Sequence, residues 1–587
     1  MKIALAQINP VTGDLAGNIR KIAQEIDLAR PKSADIIIFP EMAVTGYCVS
    51  DLLEDRQFVS ANKEALLEIL PHTRNITAII GFVDYESHKN NGGIQFRRYN
   101  AAAVMQDGKL KGIVHKTLLP NYRYFDDKRY FTPARERRPV RVKIRGKSVS
   151  LGISICEDIW DENYDVKPVE ELAVQGVDLF VNINASPFSP GKFFLREKTI
   201  KRHIRRDGRP FVYVNTVGAS DNGKNVITFD GISALYDCKG GLAAVAGQFV
   251  EETLFVDMDI SAAVKNPLKS PVFRREQEIY EALVMGLRDY ARKSGNFTRA
   301  IVPVSGGIDS ALSLALCAEA FGAGNVTAYN LPSKYNSRLT KSIAKQLAEN
   351  LGIEYRIIPI QQIDNLVKKV FESSAHKIMN KTAKENMHAR IRGLLMMMES
   401  NDTGALLVSN GNETEIALGY STLYGDMCGG ISVIGDLPKM DVYKVSSYAN
   451  ERYGRQVIPR AAFEIIPTAE LSRGQYDPFD YPVVSPIVNE LVERRLDPVE
   501  LIEMFRKRKL DAGKFEPDKD GKTVYDKHTV KSFGGLVMHC YDLLRRSVYK
   551  RLQGPPIIVV SERAFGFDLR ETIINKWGDT DELRIRN

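Results

Sequence analysis

The stretch that most restricts the fold lies just past the middle of the chain. A short apolar run, Ala300–Val304, enters the turn Ser305-Gly306-Gly307-Ile308-Asp309-Ser310 and leaves as the helix-periodic run Ser310–Phe321. A strand, a glycine turn and a helix in that order open a parallel crossover. Strand Val326–Leu331, helix Thr340–Leu351 and strand Tyr355–Ile360 continue the alternation. The pattern predicts a Rossmann-like, doubly wound parallel sheet. Glycines let the backbone approach an anion closely. The free N–H groups and dipole of a helix start then favour phosphate, and Ser305 and Ser310 add hydroxyls. No lysine follows the glycines, so this is not a Walker A loop. Asp309 would repel a bare phosphate, but it suits a site where Mg2+ bridges carboxylate and phosphate.

The first half shows a different α/β pattern. β-rich runs recur at Lys2–Gln7, Ile36–Phe39, Ile76–Phe82, Ala101–Met105, Ser148–Ile155, Leu179–Ile183, Phe211–Asn215 and Leu254–Val256, with helical patterns at Asn18–Arg30 and Asp165–Gln175. Such repetition predicts a layered α/β fold. It stops near 262. Ala263–Arg275 carries two prolines and is the expected linker. The next helix places Ile279, Leu283, Leu287 and Tyr290 on one face. The polar stretch Asp511–Thr529 is expected as a surface excursion. A chain of 587 residues accommodates several domains. The expected division is 1–262, a linker at 263–275, and 276–587.

The string at 305–310 resembles the phosphate loop of PP-loop enzymes, which split ATP into AMP and pyrophosphate. Further strings narrow the resemblance to the NAD synthetases: Glu385-Asn386-Met387-His388-Ala389-Arg390-Ile391-Arg392-Gly393, Asn410-Gly411-Asn412-Glu413-Thr414-Glu415, Gly419-Tyr420-Ser421-Thr422-Leu423-Tyr424-Gly425-Asp426, Tyr549-Lys550-Arg551-Leu552-Gln553 and Ser561-Glu562-Arg563-Ala564-Phe565-Gly566. The resemblance spans 276–587. It implies that Ser305, Gly306, Gly307, Ile308, Asp309, Ser310 and Asn410 bind ATP. It further implies that Asp309 and Glu415 hold Mg2+, and that Asn386, Glu415 and Lys550 face deamido-NAD+. Without that context Glu415 reads as a helix cap and Lys550 as a solvated charge. His388, Asn410 and Glu413 replace the family's usual Gln, Thr and Lys, and Leu471–Pro486 departs from its usual string. Arg390 and Arg392 are candidates for substrate or subunit contacts.

Three reactive residues of the first half each follow a strand: Glu41 after Ile36–Phe39, Lys116 after Gly112–His115, and Cys156 after Val149–Ile155. Alone, each has an ordinary reading, the cysteine as a small buried hydrophobe and the others as surface charges. The ordered set resembles the nitrilase superfamily, whose members cleave amide and nitrile C–N bonds, and the likeness spans 1–262. That implies an α-β-β-α sandwich, with Glu41, Lys116 and Cys156 catalytic and Tyr122, Ser186 and Lys192 binding glutamine. A free thiol has a pKa of about 8.5, so a neighbouring base must take its proton. Glu41 would do this, while Lys116 would face the developing oxyanion. Asp127 stands where the family has a glutamate. Thr216 and Ser220 stand where relatives often have Gln.

The fusion implied is that of the glutamine-dependent NAD+ synthetases: ammonia released from glutamine at one site is consumed at an adenylate at the other. The expected substrates are glutamine, ATP and deamido-NAD+, with Mg2+, no redox cofactor and a homo-oligomer formed through the second half. Another PP-loop amidotransferase, a tRNA-modifying ligase and a non-catalytic regulator are the alternatives. The charge of +8 fits a basic surface or an anionic substrate. It is spread out apart from Arg135–Arg145 and Arg506–Lys509, so no basic, aromatic-interleaved stripe for nucleic acid stands out. Six scattered cysteines at 48, 156, 238, 317, 428 and 540 form no CxxC. They argue against zinc or a disulfide framework and for a reducing cytoplasm. No apolar run reaches the ~18 residues of a membrane span, and the start reads as no secretory leader.

Overall fold

Parity decides the first half. In strand Lys2–Gln7, Ile3 and Leu5 join one buried cluster while Ala4 and Ala6 join another. A strand buried on both faces needs a partner layer on each side. The computed structural model supplies both. It describes residues 1–574 except 91–92, 296, 376–377, 469, 473–475 and 519. The chain separates into two units, one of 1–222 with 227–273 and the other of 223–226 with the chain from Arg274 onward.

The first unit holds two six-stranded sheets. One runs in the order Glu252–Asp257, Lys2–Gln7, Ile36–Ile38, Thr77–Asn90, Gly93–Gln106, Lys109–His115. The other runs Leu242–Val245, Ala234–Tyr236, Phe211–Asn215, Leu179–Asn184, Lys147–Ile155, Val140–Ile144. Their inner faces meet through Ile3, Ile38 and Val104 on one side and Leu151, Ile153, Val181 and Val214 on the other. Outside the first sheet, helix Leu15–Ala29 packs Ile19, Ile22 and Ile26. Outside the second, helix Lys192–Asp207 packs Ile200 and Ile204 against Phe180 and Phe211. This is the expected α-β-β-α sandwich. Val140–Ile144, read from sequence as part of a charge run, is an edge strand. It buries Val142 and Ile144 and turns its basic residues outward.

In the second unit, six strands run parallel in the order Ile557–Val559, Ile431–Ser432, Leu406–Ser409, Ala300–Pro303, Val326–Asn330, Glu354–Ile357. From Ala300–Pro303 the chain fills one side of the sheet and then returns to fill the other. The strand order therefore reverses between Ala300–Pro303 and Leu406–Ser409, and a doubly wound sheet opens its crevice at that switch point. Helix Ile308–Phe321 is apolar nearly all round and buries Ala311, Leu312, Leu314 and Leu316, as a central helix must.

Two segments expected outside the regular elements make fixed contacts. The linker segment is tied down within the first unit: Leu268 N–H donates to Leu242 O at 2.7 Å and Val264 N–H to Asp237 Oδ2 at 2.8 Å. The described residues of the 511–529 excursion are mostly exposed, as expected, but Phe515 and Val524 are buried and Lys514 meets Glu490 at 2.9 Å, so the segment is anchored. Sparse apolar residues in a polar stretch still bury when a groove is offered. Among the described residues no helix is long and apolar enough to cross a membrane.

Candidate active sites

Glu41, Lys116 and Cys156 each lie just past a strand of the sandwich, and all three side chains are buried. The Lys116 ammonium lies 2.8 Å from Glu41 Oε1 and 2.8 Å from Asp127 Oδ2. Burial alone would depress the lysine, but the Asp127 and Glu41 carboxylates win and hold it well above its ordinary pKa. A buried charge is tolerable only when paired in this way; stranding one partner costs on the order of 3–5 kcal/mol. Asp127, the shorter replacement, thus reaches the same ammonium, and Tyr47 OH donates to it at 3.4 Å.

Cys156 begins a short turn with φ +45, a left-handed value that strains any residue carrying a Cβ and persists only where surroundings enforce it. Asp158 does the enforcing. Its carboxylate accepts from Ile155 N–H at 3.0 Å, and from Thr117 and Leu118 N–H at 3.1 and 2.8 Å, so one side chain ties the Cys156 turn to the loop carrying Lys116. Burial and the Glu41 carboxylate push the Cys156 thiol up, against the pull of Lys116. The resting thiol is therefore protonated and needs a base. The Glu41 carboxylate is itself held in place. Its Oε1 accepts from Asn100 Nδ2 at 2.7 Å, and its Oε2 from Ala185 N–H at 2.8 Å.

The other expected residues of this site are arranged around it. Tyr122 OH donates to the Glu157 carboxylate at 2.9 Å. Ser186 is fixed by buried Arg196, which donates to its Oγ at 3.3 Å and pairs with Asp230. The Lys192 ammonium sits 4.8 Å over the Trp160 ring. Burial, then Arg196 and Arg123, lower its pKa to about 8.

In the second unit, a cavity of about 310 Å3 opens at the switch point. Ser305, Gly307, Ile308, Asp309, Ser310, Asn410 and Glu415 line it. Gly306 forms the turn beneath them with φ +92; a Cβ there would lie 2.2 Å from Thr340 O, so only glycine fits. Asn410 Nδ2 donates to Pro303 O at 2.7 Å, leaving its buried Oδ1 without a partner. Glu415 does cap its helix, in line with its ordinary reading. Its Oε2 accepts from Asn412 N–H at 3.4 Å, yet its carboxylate also faces the cavity. Burial and then Asp309 raise that carboxyl to about 8.

Both carboxylates share one buried cation. Lys439 Nζ contacts Asp309 Oδ2 and lies 3.5 Å from Glu415 Oε1. Among the described residues no group of three or more His, Cys, Asp or Glu could hold a metal. Two convergent carboxylates beside a phosphate loop nonetheless suit Mg2+, which takes one or two carboxylates plus phosphate oxygens. Asn386 and Lys550 are not brought into the cavity wall. Asn386 accepts from Thr422 Oγ1 at 3.0 Å, and Lys550 Nζ donates to Gly419 O and Ser421 O at 2.8 Å. They brace the turn whose Tyr420 and Ser421 do line the cavity. His388 is buried against Asp364 at 2.7 Å, and Glu413 is buried outside the lining. In the divergent 471–486 segment, Leu471 and Asp477 line the cavity, while Arg473, Gly474 and Gln475 lie outside the described residues.

Asn100, Asp158 and Lys439 do not stand out in the sequence. Each is one polar residue in an ordinary strand or helix context, and only its burial beside the reactive groups marks it.

Comparison with known proteins follows the same division. Residues 2–265 match the carbon-nitrogen hydrolase family, and residues 279–515 match NAD synthase. The chain is 33% identical to a glutamine-dependent NAD(+) synthetase of Thermotoga maritima over 98% of this chain and 99% of that protein. It is 35% identical to one from Synechocystis over 97% and 98%. The solved structure of glutamine-dependent NAD+ synthetase from Acinetobacter baumannii, in complex with ADP, superposes with a TM-score of 0.71 at 31% identity, covering 98% of this chain and 99% of that one. Matched over nearly its whole length at about a third identity, the chain belongs to the glutamine-dependent NAD+ synthetases.

Proposed function

We propose that residues 1–262 form the glutaminase, that 276–587 form the synthetase, and that the residues described above carry the two reactions. In the glutaminase, Glu41 takes the Cys156 proton as sulfur attacks the carboxamide carbon of glutamine. The oxyanion that forms is met by the Lys116 ammonium and a backbone N–H. Glu41 then returns the proton to the leaving nitrogen, and ammonia departs. Glu41 next takes a proton from water as it attacks the glutamyl thioester; the C–S bond breaks, glutamate leaves, and the proton passes from Glu41 to the Cys156 sulfur. Asn100 and Ala185 N–H keep Glu41 aimed, and Asp127 keeps Lys116 aimed. Tyr122, Ser186 and Lys192 hold the substrate. The observation that carries this reading is the buried Lys116 ammonium at 2.8 Å from both Glu41 and Asp127, in the same site as buried Cys156.

In the synthetase, ATP lies on the phosphate loop, with Ser305, the N–H groups of 306–308 and Ser310 as donors and Asn410 Oδ1 as an acceptor. Asp309 and Glu415 would hold Mg2+, which when bound neutralises phosphate charge. Lys439 supplies a second, fixed positive charge at the same place. The carboxylate of deamido-NAD+ attacks the α-phosphorus and pyrophosphate leaves; ammonia then attacks the acyl carbon and AMP leaves, giving NAD+. Asn386 and Lys550 act on deamido-NAD+ through the 419–424 turn. The chain also works as a homo-oligomer. Helices Gln361–Ala375 and Lys381–Thr403 expose Leu366, Val370, Phe371, Leu394 and Met398, an apolar surface of the kind that a second copy covers.

The deciding measurement is NAD+ formation from deamido-NAD+, ATP and Mg2+ by wild type and Cys156→Ala, fed either glutamine or ammonium. The variant should fail with glutamine and work with ammonium. Equal loss with both donors would overturn the assignment of Cys156.

A further inference from the structure

One carboxylate of the nucleotide cavity belongs to none of the sequence strings above. Glu470 Oε2 accepts from Asn336 Nδ2 at 2.8 Å and from Thr340 Oγ1 at 3.0 Å, and Oε1 accepts from Ser337 N–H at 3.1 Å. Its own N–H donates to Thr468 Oγ1 at 3.1 Å. Pro467, Thr468, Glu470 and Leu471 line the cavity, and so do Asn336 and Thr340. The carboxylate therefore joins two parts of the cavity wall that lie 130 residues apart in the chain, counted from Thr340 to Glu470.

The groups it grips matter in their own right. Ser337 and Thr340 form the start of helix Arg338–Leu351, where Ser337 Oγ accepts from Thr340 N–H at 3.1 Å. A negative charge is favoured at such a start. Thr340 O is the atom that a Cβ on Gly306 would strike, so the position of this helix start sets the seat of the phosphate loop. Asn336 Oδ1 accepts from Arg392 Nη2 at 3.2 Å, and Arg392 Nε donates to Leu331 O at 3.0 Å. Arg392 also lines the cavity. One half-buried carboxylate thus holds the wall made by Pro467, Thr468 and Leu471, the 336–340 wall and, through Thr340, the phosphate turn in register.

We propose that Glu470 is a positioning residue for ATP: its carboxylate clasps the cavity wall of Thr468, Glu470 and Leu471 to the helix start at 337–340 and so sets the shape of the nucleotide cavity. The inference rests on the assignment of this cavity to ATP. Because Glu470 acts on the wall rather than on reacting atoms, its loss should weaken capture of ATP more than it slows chemistry. Glu470→Gln keeps the shape but presents an NH2 group toward donors. Glu470→Asp keeps the charge with a shorter reach.

The test is the steady-state rate of ammonium-dependent NAD+ formation in the full chain, for wild type, Glu470→Ala, Glu470→Gln and Glu470→Asp, with thermal melts taken without nucleotide. We expect KM for ATP to rise by about tenfold or more in the Ala and Gln variants while kcat stays within about threefold, with Asp recovering part of the loss. An unchanged KM for ATP, a fall in kcat at unchanged KM, or a lowered melting temperature that accounts for the whole loss would each overturn the proposal. Asp309→Asn separates this from failure of the site itself. If Asp309→Asn makes NAD+ as wild type does, the cavity assignment falls. If it is inactive while Glu470→Ala binds ATP normally, only the clasp falls.

Discussion

Gly81→Ala tests how tightly the glutaminase site is held from behind. Gly81 lies in strand Thr77–Asn90, under the turn that carries Glu41. A Cβ at this position would lie 2.3 Å from Pro40 O, 2.4 Å from Met42 N and 2.8 Å from Glu41 C. All three are backbone atoms, so no side-chain rotation relieves the clash. Restoring ordinary contact, near ~3.5 Å for such atoms, requires the Glu41 turn to retreat by about 1 Å. The turn is not free to do so, because Val44 N–H donates to Gly81 O at 3.1 Å and Glu41 itself is held by Asn100, Lys116 and Ala185 N–H. A misplacement of about 1 Å in a catalytic group costs ~10²-fold in rate, equivalent to about 2.7 kcal/mol of barrier. The overpacking itself should cost about 1–3 kcal/mol of stability. The assay is glutamate release from glutamine, set against NAD+ formation from ammonium in the same preparation. The glutamine reaction should fall by about two orders of magnitude while ammonium use persists. A Gly81→Ala protein that hydrolyses glutamine within about threefold of wild type would refute the claim that this turn is rigidly backed.

The electrostatics and the surface give two more tests. Since the pKa of Lys192 is lowered to about 8, its ammonium is intact below that pH and lost as pH climbs through it. KM for glutamine should therefore rise above about pH 8 while kcat changes little, and Lys192→Met should abolish this pH dependence; a KM that stays flat through that range in wild type would remove Lys192 from substrate binding. Leu366 and Leu394 are 61% and 59% exposed. Replacing both with Asp should shift the protein to monomer in light scattering coupled to size exclusion, whereas an unchanged mass would place the subunit contact elsewhere.

Much of the site is legible in sequence because its parts fall where strands end. Glu41, Lys116 and Cys156 each follow a run of β-rich residues, and the geometry of a sandwich gathers strand ends at one rim. The phosphate loop is legible for a related reason: the glycine turn between strand and helix is written in contiguous residues. Asp127 can be named from sequence but not assigned, since a carboxylate's reach depends on where the neighbouring ammonium lies. Asn386 and Lys550 are expected at a substrate, yet their side chains are committed to the turn beside the cavity. Motif position does not say which way a side chain points. Val140–Ile144 alternates apolar and basic residues as a half-buried strand does, but its arginine and lysine merge with the charge run around it.

From the sequence alone came the two α/β halves, the order of their reactive residues and the pairing of a C–N hydrolase with an adenylating loop. These depend on local periodicity and on contiguous strings, which need no distant partner to be read. Tertiary structure alone decided the rest. It set Asp158 between the Cys156 turn and the Lys116 loop, put Lys439 between Asp309 and Glu415, and brought Glu470 to a helix start far upstream in the chain. Each is a polar contact, buried or partly so, between segments far apart in the chain. Its energy comes from burial and from the placement of a partner, and neither exists until the chain has folded.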